Sequence, residues 1–321
     1  MRFLLVLALL STCAASARTA FWLRPPATAA QLEQTLIAAR AAGFTDVLLE
    51  GFYHGRAVWP SAVAPMKTSY DALATALDVG AREKLNVSVW METLYWRPAA
   101  RFGVPVTTLW RDEWATRTAS GQESLDVSDL GFVDPAESGV GDVLEEIVRE
   151  IASRYPAAGL HLDYLRLPRE ADFGFSPASL AEFQRRSGKD ARAISKVDAE
   201  GAPTPEWRVW TGVRRDAVTN LANRLVGAYK AGGGRGLVSA AVYRGFDEVQ
   251  DWRAWRGLDA AMPMLYLPWS ALYPLALLGW PKGGNVWPGV QVGPGYPPLA
   301  QQLALVREQG FENVAVFGWT P

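Results

Sequence analysis

The chain has 321 residues, a formal net charge of −1 and 49% hydrophobic residues, which suits one large globular domain or two small ones. The balanced charge argues against a nucleic-acid-binding protein, because such proteins carry a clustered basic face. One cysteine and two histidines are too few for a disulfide framework or a His-based zinc centre.

The first 17 residues have the pattern of a signal peptide. Arg2 precedes the apolar run FLLVLALL, and the small residues Ala15–Ala17 follow it, as in a cleavable secretory leader. We therefore expect export to the periplasm or the cell exterior and a mature chain of residues 18–321 without cysteine. The alternative is a lipoprotein anchored through Cys13, although Thr12 fits the lipid-attachment motif poorly.

Beyond Ala17, short apolar runs alternate with amphipathic stretches. The predicted strands are 20–24, 45–52, 85–96, 157–165, 236–245, 258–268, 285–293 and 313–319. The predicted helices are 28–43, 69–84, 138–155, 176–188, 204–233, 246–257, 270–280 and 297–310. Thr28 and Ser69 are the predicted N-caps of the first two helices, and Gly43 is the predicted stop of the first.

This order predicts a (β/α)₈ TIM barrel, because every strand except the last is followed by a helix. A doubly wound sheet is the alternative, but no strand is followed by the G-x-G-x-x-G turn of its nucleotide-binding members. The sequence contains no Ser/Gly linker and no repeat, so we expect residues 18–321 to form a single barrel. The chain stops two residues after Trp319, so we expect this barrel to lack its final outer helix or to be completed by other segments.

Three of the predicted strands carry an acidic residue in their carboxyl-terminal half. Because side chains alternate along a strand, the leucines of GLHLD face the outer helices, whereas His161 and Asp163 point into the barrel. The same alternation places Glu92 of strand three and Glu50 of strand two at the same mouth. Active sites of this fold lie at that face.

A buried carboxylate is costly unless another group pairs with it. Arg24 after strand one and Arg166 after strand four are the candidate partners. A structural ion-pair network is thus the alternative to a catalytic site. His161 lies deeper, and we expect it to be a hydrogen-bonded core residue rather than a catalyst, with orientation of Asp163 as an additional role that its position allows.

Two carboxyl groups at one barrel mouth are the catalytic groups that most glycosidases use. We predict Asp163 as nucleophile or base. Glu92 is the preferred acid, Glu50 the second choice, and Asp247 or Glu248 the third. A separation of about 5.5 Å between the carboxyl groups would indicate retention, and about 6.5–9.5 Å would indicate inversion of the anomeric configuration.

The 14 tryptophans are unusually many for this length. Each aromatic residue alone is explained by core packing, but together those near the strand ends fit an apolar-walled cleft for sugar rings. The predicted substrate-binding residues are Arg24, Trp90, Trp96, His161, Tyr164, Arg166, Tyr243, Tyr266, Gln291 and Trp319.

The sequence resembles glycosyl-hydrolase-like family 10, a family of bacterial barrel domains. The most specific match is GLHLDYLRLP against the family pattern Gly-Ile-His-Leu-Asp-Tyr-Ile-Arg-Tyr-Pro, and further matches run from about Ala20 to Trp319. The resemblance implies a (β/α)₈ barrel that hydrolyses a cell-envelope polysaccharide. Peptide-free peptidoglycan glycan strands are the leading candidate substrate.

The resemblance also carries the catalytic aspartate of the family onto Asp163, with His161, Tyr164 and Arg166 beside it. It carries the Asp–Pro turn before the third helix onto Asp134–Pro135.

Many family members have Gln at the position of Glu50 and Asn at that of Glu92. The choice of acid therefore rests on the strand-end argument alone. Two other function classes remain open, a barrel that binds glycan without cutting it and a carboxylate-based metal-dependent hydrolase. We expect no cofactor, no nucleic-acid partner and no transmembrane segment.

Overall fold

Eight parallel strands form the centre of the fold in the computed structural model, which describes residues 17–245 and 247–321. They are β1 (Thr19–Leu23), β2 (Asp46–Tyr53), β3 (Asn86–Glu92), β4 (Gly159–Asp163), β5 (Val238–Tyr243), β6 (Ala260–Met264), β7 (Gly289–Gln291) and β8 (Val314–Phe317). Each strand pairs with the next, and β1 pairs with both β2 and β8, so the sheet closes. The predicted (β/α)₈ barrel is confirmed. The predicted signal peptide and Cys13 lie outside the described residues, apart from Ala17.

Helices surround the barrel. They are α1 (Ala29–Ala41), α2 (Ala72–Glu83), α3 (Ser124–Ser128), α4 (Ser138–Arg154), α5 (Pro177–Ser187), α6 (Pro205–Ala231), α7 (Tyr273–Ala276) and α8 (Leu299–Glu308). Within the described residues, none of them has both the length and the apolar composition needed to cross a bilayer.

Alternation along the strands separates two hydrophobic clusters. The leucines of GLHLD pack outward with the helices, as predicted. Inside the barrel, the bulky side chains of Trp22, Trp90 and Trp287 pack against small or flexible ones such as Ala241 and Met262. The barrel is therefore filled by side chains below its mouth.

The predicted start of the first helix is confirmed, and that of the second is wrong. Thr28 caps α1 and forms a capping box with Gln31. The N-cap of α2 is Asp71, whose Oδ1 accepts a hydrogen bond from the backbone N–H of Ala74 at 2.8 Å. Ser69 lies two residues earlier, outside the helix. A side chain can cap a helix only when its oxygen reaches these first free N–H groups.

The predicted third strand, 85–96, is too long. The barrel strand ends at Glu92, where the N–H of Thr93 donates to the carbonyl oxygen of Asp163 at 2.8 Å. The chain then leaves the barrel, and Tyr95–Pro98 pairs antiparallel with Leu130–Phe132. This small second sheet forms part of the long connection between β3 and α4.

The predicted helix 246–257 is wrong. Among its described residues, 247–257, the structure has a single 3₁₀ turn at Trp252–Ala254. Asp247 Oδ1 accepts hydrogen bonds from the N–H groups of Val249 and Gln250. Such local side-chain bonds compete with helical bonding. The predicted helix 270–280 is likewise shorter, a 3₁₀ turn at Ser270–Leu272 followed by the one-turn α7.

Candidate active site

The ends of β2, β3 and β4 bring three carboxyl groups to the mouth of the barrel. Trp90 of β3 is the register partner of Glu50, and Glu92 is the register partner of Asp163. All three acidic residues are buried, with exposed fractions of 1% for Glu50, 2% for Glu92 and 5% for Asp163. The predicted convergence of acids from three strands therefore occurs.

Asp163 is held by three donors. Trp90 Nε1 donates to Oδ2 at 3.1 Å, the backbone N–H of Tyr164 donates to Oδ1 at 2.6 Å, and Arg166 Nη1 lies 3.4 Å from the same oxygen. Burial raises the pKa of Asp163, while Arg166 and the hydrogen bonds lower it. The donors fix the carboxyl group in one orientation and favour its charged form.

Glu50 pairs with Arg24, the guanidinium of which stands exposed at the rim. Arg24 Nε donates to Glu50 Oε1 at 3.3 Å. Burial raises the pKa of Glu50 from 4.5 to about 7, against the opposing charge of Arg24. This carboxyl group therefore changes charge near neutral pH.

Glu92 lies among the other acids and is held by His54. The backbone N–H of His54 donates to Glu92 Oε2 at 3.3 Å, and the ring Nε2 lies 3.6 Å from the same oxygen. Burial, followed by the charges of Glu50 and Asp163, raises the pKa of Glu92 well above its usual value. Its surroundings therefore favour the protonated form of Glu92.

Sequence reasoning missed His54. It follows β2 directly, but no periodic pattern reaches it, because its position depends on a backbone φ of +52°. Tyr164 and Tyr266 also have positive φ values, 52° and 41°, just after β4 and β6. Such conformations are uncommon for residues other than glycine and cluster at functional sites.

His161 is a core residue below the acids, as expected. Trp22 Nε1 donates to its Nε2 at 3.0 Å, so its Nδ1 carries the proton and faces Ser239 Oγ at 2.9 Å. Burial lowers the pKa of His161 to about 3. Both ring nitrogens of His161 are thus bonded to Trp22 and Ser239, so the expectation that His161 orients Asp163 directly is wrong.

A cavity of about 210 Å³ opens at Asp163. It is lined by Trp22, Arg24, Trp90, Asp163, Tyr164, Arg166, Met264, Tyr266 and Phe317. Besides Asp163, five of the predicted site residues thus line one cavity, namely Arg24, Trp90, Tyr164, Arg166 and Tyr266. Glu50 and Glu92 are buried and are not among the residues that line this cavity.

The remaining predicted residues lie elsewhere. Tyr243 stacks beside Arg166, with 4.9 Å from the guanidinium carbon to the ring centre. Trp96 is fully buried, and its Nε1 donates to the carbonyl of Thr93. Trp319 packs against Phe21 and Phe44 outside the barrel wall. A substrate contact by Trp96 or Trp319 remains a prediction.

Two further groups of the sequence analysis also lie away from this cavity. The side chain of Gln291 belongs to none of its walls, although its carbonyl oxygen accepts a bond from Gln302 Nε2 at 2.8 Å. Asp247 pairs with Arg169 at 2.7 Å, and Glu248 is exposed.

The aspartate of the Asp–Pro turn is fully buried. Thr116 Oγ1 and the N–H of Ala136 donate to Asp134. These bonds tie the long connection to the turn that leads into α4, which is a structural function.

A sequence model of the family described as "Glycosyl hydrolase-like 10" matches residues 31–269, about three quarters of the chain. The chain belongs to the Glycosyl hydrolase-like 10 family. The match contains β2 to β6, and with them Glu50, Glu92 and Asp163. No curated protein has significant sequence similarity to the chain.

Solved structures of similar fold include several glycosidases. The catalytic domain of β-amylase from Paenibacillus polymyxa is 10% identical with a TM-score of 0.60, over 94% of this chain and 93% of that one. β-Galactosidase from the psychrophilic Marinomonas ef1 is 14% identical with a TM-score of 0.69, over 94% of this chain and 54% of that one. At these identities the likeness shows that the family member shares their barrel fold.

The described residues contain no cluster of three or more His, Cys, Asp or Glu side chains arranged to hold a metal ion. The charged side chains that the site brings together are the three carboxyl groups and the guanidinium groups of Arg24 and Arg166.

Proposed function

We propose that this family member is an exported glycoside hydrolase that cleaves a bacterial cell-envelope polysaccharide, with peptide-free peptidoglycan glycan strands as the leading substrate. Family membership supports the reaction class. The observation that carries the proposal is the pair Asp163 and Glu92, which are register partners on neighbouring strands. Three hydrogen-bond donors address Asp163 as an acceptor, whereas burial and the neighbouring carboxyl groups raise the pKa of Glu92 well above its usual value.

Asp163 is the nucleophile or base. It lines the cavity, and the donors Trp90, Tyr164 and Arg166 all address it as an acceptor. A carboxylate in this position attacks the anomeric carbon or activates a water molecule there, and it stabilises the positive charge that develops on the sugar ring.

Glu92 is the acid. Its raised pKa keeps a proton available for the glycosidic oxygen of the leaving group. Glu50 interacts directly with Glu92, and its pKa is about 7, so it is a group that can return a proton to Glu92. The positive charge of Arg24 balances the negative charge that remains on the pair Glu50 and Glu92.

Export is proposed from the leader pattern of residues 1–17. The exported protein would then encounter its glycan substrate outside the cytoplasm. Cell fractionation of the full chain, with an Ala17 cleavage-site variant for comparison, tests this part separately from the chemistry.

The test of the activity is incubation with a panel of purified envelope glycans, read by mass spectrometry. The wild type is expected to release shorter glycans, and Asp163→Asn is expected to lose about 10²–10⁴-fold of the rate with its fold intact. Full activity in Asp163→Asn would contradict the assignment.

Asp46→Asn is the matched control for this test. Asp46 is another buried strand aspartate with an arginine partner, Arg18, but it lies at the opposite end of the barrel. That end serves stability in this fold. Asp46→Asn should therefore lower the melting temperature without lowering kcat.

A barrel that binds glycan without cutting it is the second candidate. Glu50 and Glu92 are buried and do not line the cavity, which favours this candidate because a catalytic acid must reach the glycosidic oxygen. Glycan binding by the wild type without new reducing ends would establish this function and contradict hydrolysis.

A further inference from the structure

A second cavity, of about 580 Å³, opens between the loops that follow β5 and β6. Its volume lies within the range of about 300–1,000 Å³ that is typical of ligand sites. Both loops follow the carboxyl ends of barrel strands, so the cavity lies on the same face as Asp163. The hydrolytic mechanism described above does not use it.

The walls of this cavity combine flat aromatic, apolar and charged groups. Trp252 and Trp280 stack with an interplanar angle of 7° and a distance of 5.6 Å between ring centres. The Arg253 guanidinium lies over both rings, at 4.7 and 5.7 Å. Leu275 and Leu278 on the facing loop are 70% and 77% exposed.

This cavity adjoins the cavity at Asp163 through the contact between Tyr243 and Arg166. Tyr243 lines the larger cavity, and Arg166, which lines the smaller one, lies over its ring. Arg169 covers the same ring at 3.3 Å and pairs with Asp247, another wall residue of the larger cavity.

The connection is also fixed through the backbone. Gln250 is buried, accepts a hydrogen bond from the N–H of Tyr243 at 2.8 Å and donates one to the carbonyl of Leu165 at 3.2 Å. It therefore ties the loop after β5 to the segment that follows Asp163. The two cavities are held in a constant relation to each other.

We propose that the larger cavity is a second saccharide-binding site, which holds a distal part of the same glycan chain that Asp163 cleaves. This inference rests on the proposed function and names how the substrate is gripped. Aromatic rings offer the apolar faces of sugar rings a flat surface. Arg253 and Asp251 at the wall offer hydrogen-bond partners to hydroxyl groups.

The proposal predicts a dependence on chain length. A strand long enough to extend from Asp163 past the contact between Arg166 and Tyr243 to Trp252 gains the contacts of both cavities, whereas a short fragment bound at Asp163 gains only one set. Loss of the second site should therefore weaken the binding of long strands and leave the cleavage of the shortest fragment unchanged.

The test uses the full-length protein and peptide-free peptidoglycan glycan strands sorted by length. Binding is measured by calorimetry in the inactive Asp163→Asn background, and kcat/KM is measured in the active one. Trp252→Ala is expected to weaken the binding of long strands about 5- to 30-fold, as truncation of a central tryptophan does. Its kcat/KM for the shortest cleaved strand should stay unchanged.

Leu278→Asp is the second variant, because a residue so exposed can be changed without disturbing the fold. Trp269→Ala is the matched control. Trp269 is 68% exposed between β6 and α7 and does not line the cavity. It should bind and cleave strands of every length as the wild type does.

The outcomes separate this inference from the proposed function. If neither Trp252→Ala nor Leu278→Asp changes cleavage of strands of any length, the second site is contradicted and the proposed hydrolase activity is not. Length-dependent binding lost in both variants, without cleavage by the wild type, supports the site and overturns the hydrolase. Dissociation of a protein dimer by both variants, with unchanged glycan binding, would assign the cavity to a protein contact and overturn the inference.

Discussion

The indole N–H of Trp90 on β3 donates a hydrogen bond to Oδ2 of Asp163 on β4, at 3.1 Å. The bond joins neighbouring strands at the barrel mouth and leaves Oδ1 to Tyr164 and Arg166. Trp90 also packs in the barrel interior. The orientation of the proposed catalytic carboxylate is therefore set by the same side chain that fills the core below it.

Trp90→Phe should lower kcat about tenfold or more, because it keeps an aromatic ring but removes one donor that orients Asp163. Trp59→Phe is the control, since Trp59 is a buried tryptophan whose N–H donates to Glu150 at 3.0 Å outside the site. Both variants should lose stability, but only Trp90→Phe should lose kcat. Steady-state kinetics and thermal unfolding measure the two effects, and equal kcat values in the two variants would contradict the orienting role.

Glu92→Gln should lower the rate on natural glycan about 10²–10⁴-fold, because it removes the proton donor. An aryl glycoside with an acidic phenol as leaving group needs little protonation, so on this substrate the variant should recover most of its rate. Glu50→Gln should lose less rate and show no such recovery. If the recovery instead follows Glu50→Gln, Glu50 is the acid and Glu92 its partner.

Glu50 should make the protein less stable as the pH rises. Its folded pKa, about 7, is above the unfolded 4.5, so its contribution is fully present below pH 4.5 and is lost as the pH rises through 7. The shift corresponds to about 3 kcal/mol. Relative to the wild type, Glu50→Gln should gain stability between pH 5 and 8 in urea unfolding. A constant difference between the two proteins over this range would refute the shift.

His161 should act in the opposite direction. Its folded pKa, about 3, is below the unfolded 6.5, so its contribution is present above pH 6.5 and is lost as the pH falls toward 3. The wild type should therefore lose up to about 1.4 kcal/mol per pH unit in this range relative to His161→Gln. Unfolding curves at pH 6.5, 5.5 and 4.5 measure the difference, which would be flat if His161 were protonated in the folded protein.

Strand-level features of this protein follow from local sequence. Alternation within GLHLD placed Asp163 and His161 inside the barrel and the leucines outside, and the structure agrees. The Thr28 cap and the order of eight strands were equally predictable. These features depend on side-chain periodicity and on hydrogen bonds a few residues apart, both of which the sequence displays directly.

Contacts between loops and strand ends were not predictable in this way. The sequence alone does not show that His54 turns back onto Glu92, that Trp96 is buried away from the cavity, or that Asp71 caps α2 in place of Ser69. Each depends on backbone conformation after a strand or before a helix, where no periodic pattern exists.

The sequence by itself therefore determined the barrel, the strands that carry its acids and the side of the sheet on which they lie. Only the tertiary structure decided which neighbours surround each acid, because the closing of the barrel brings Arg24, His54 and Trp90 onto carboxyl groups from other strands. Burial and those neighbours set the protonation of Glu50 and Glu92, and neither quantity exists before the chain is folded.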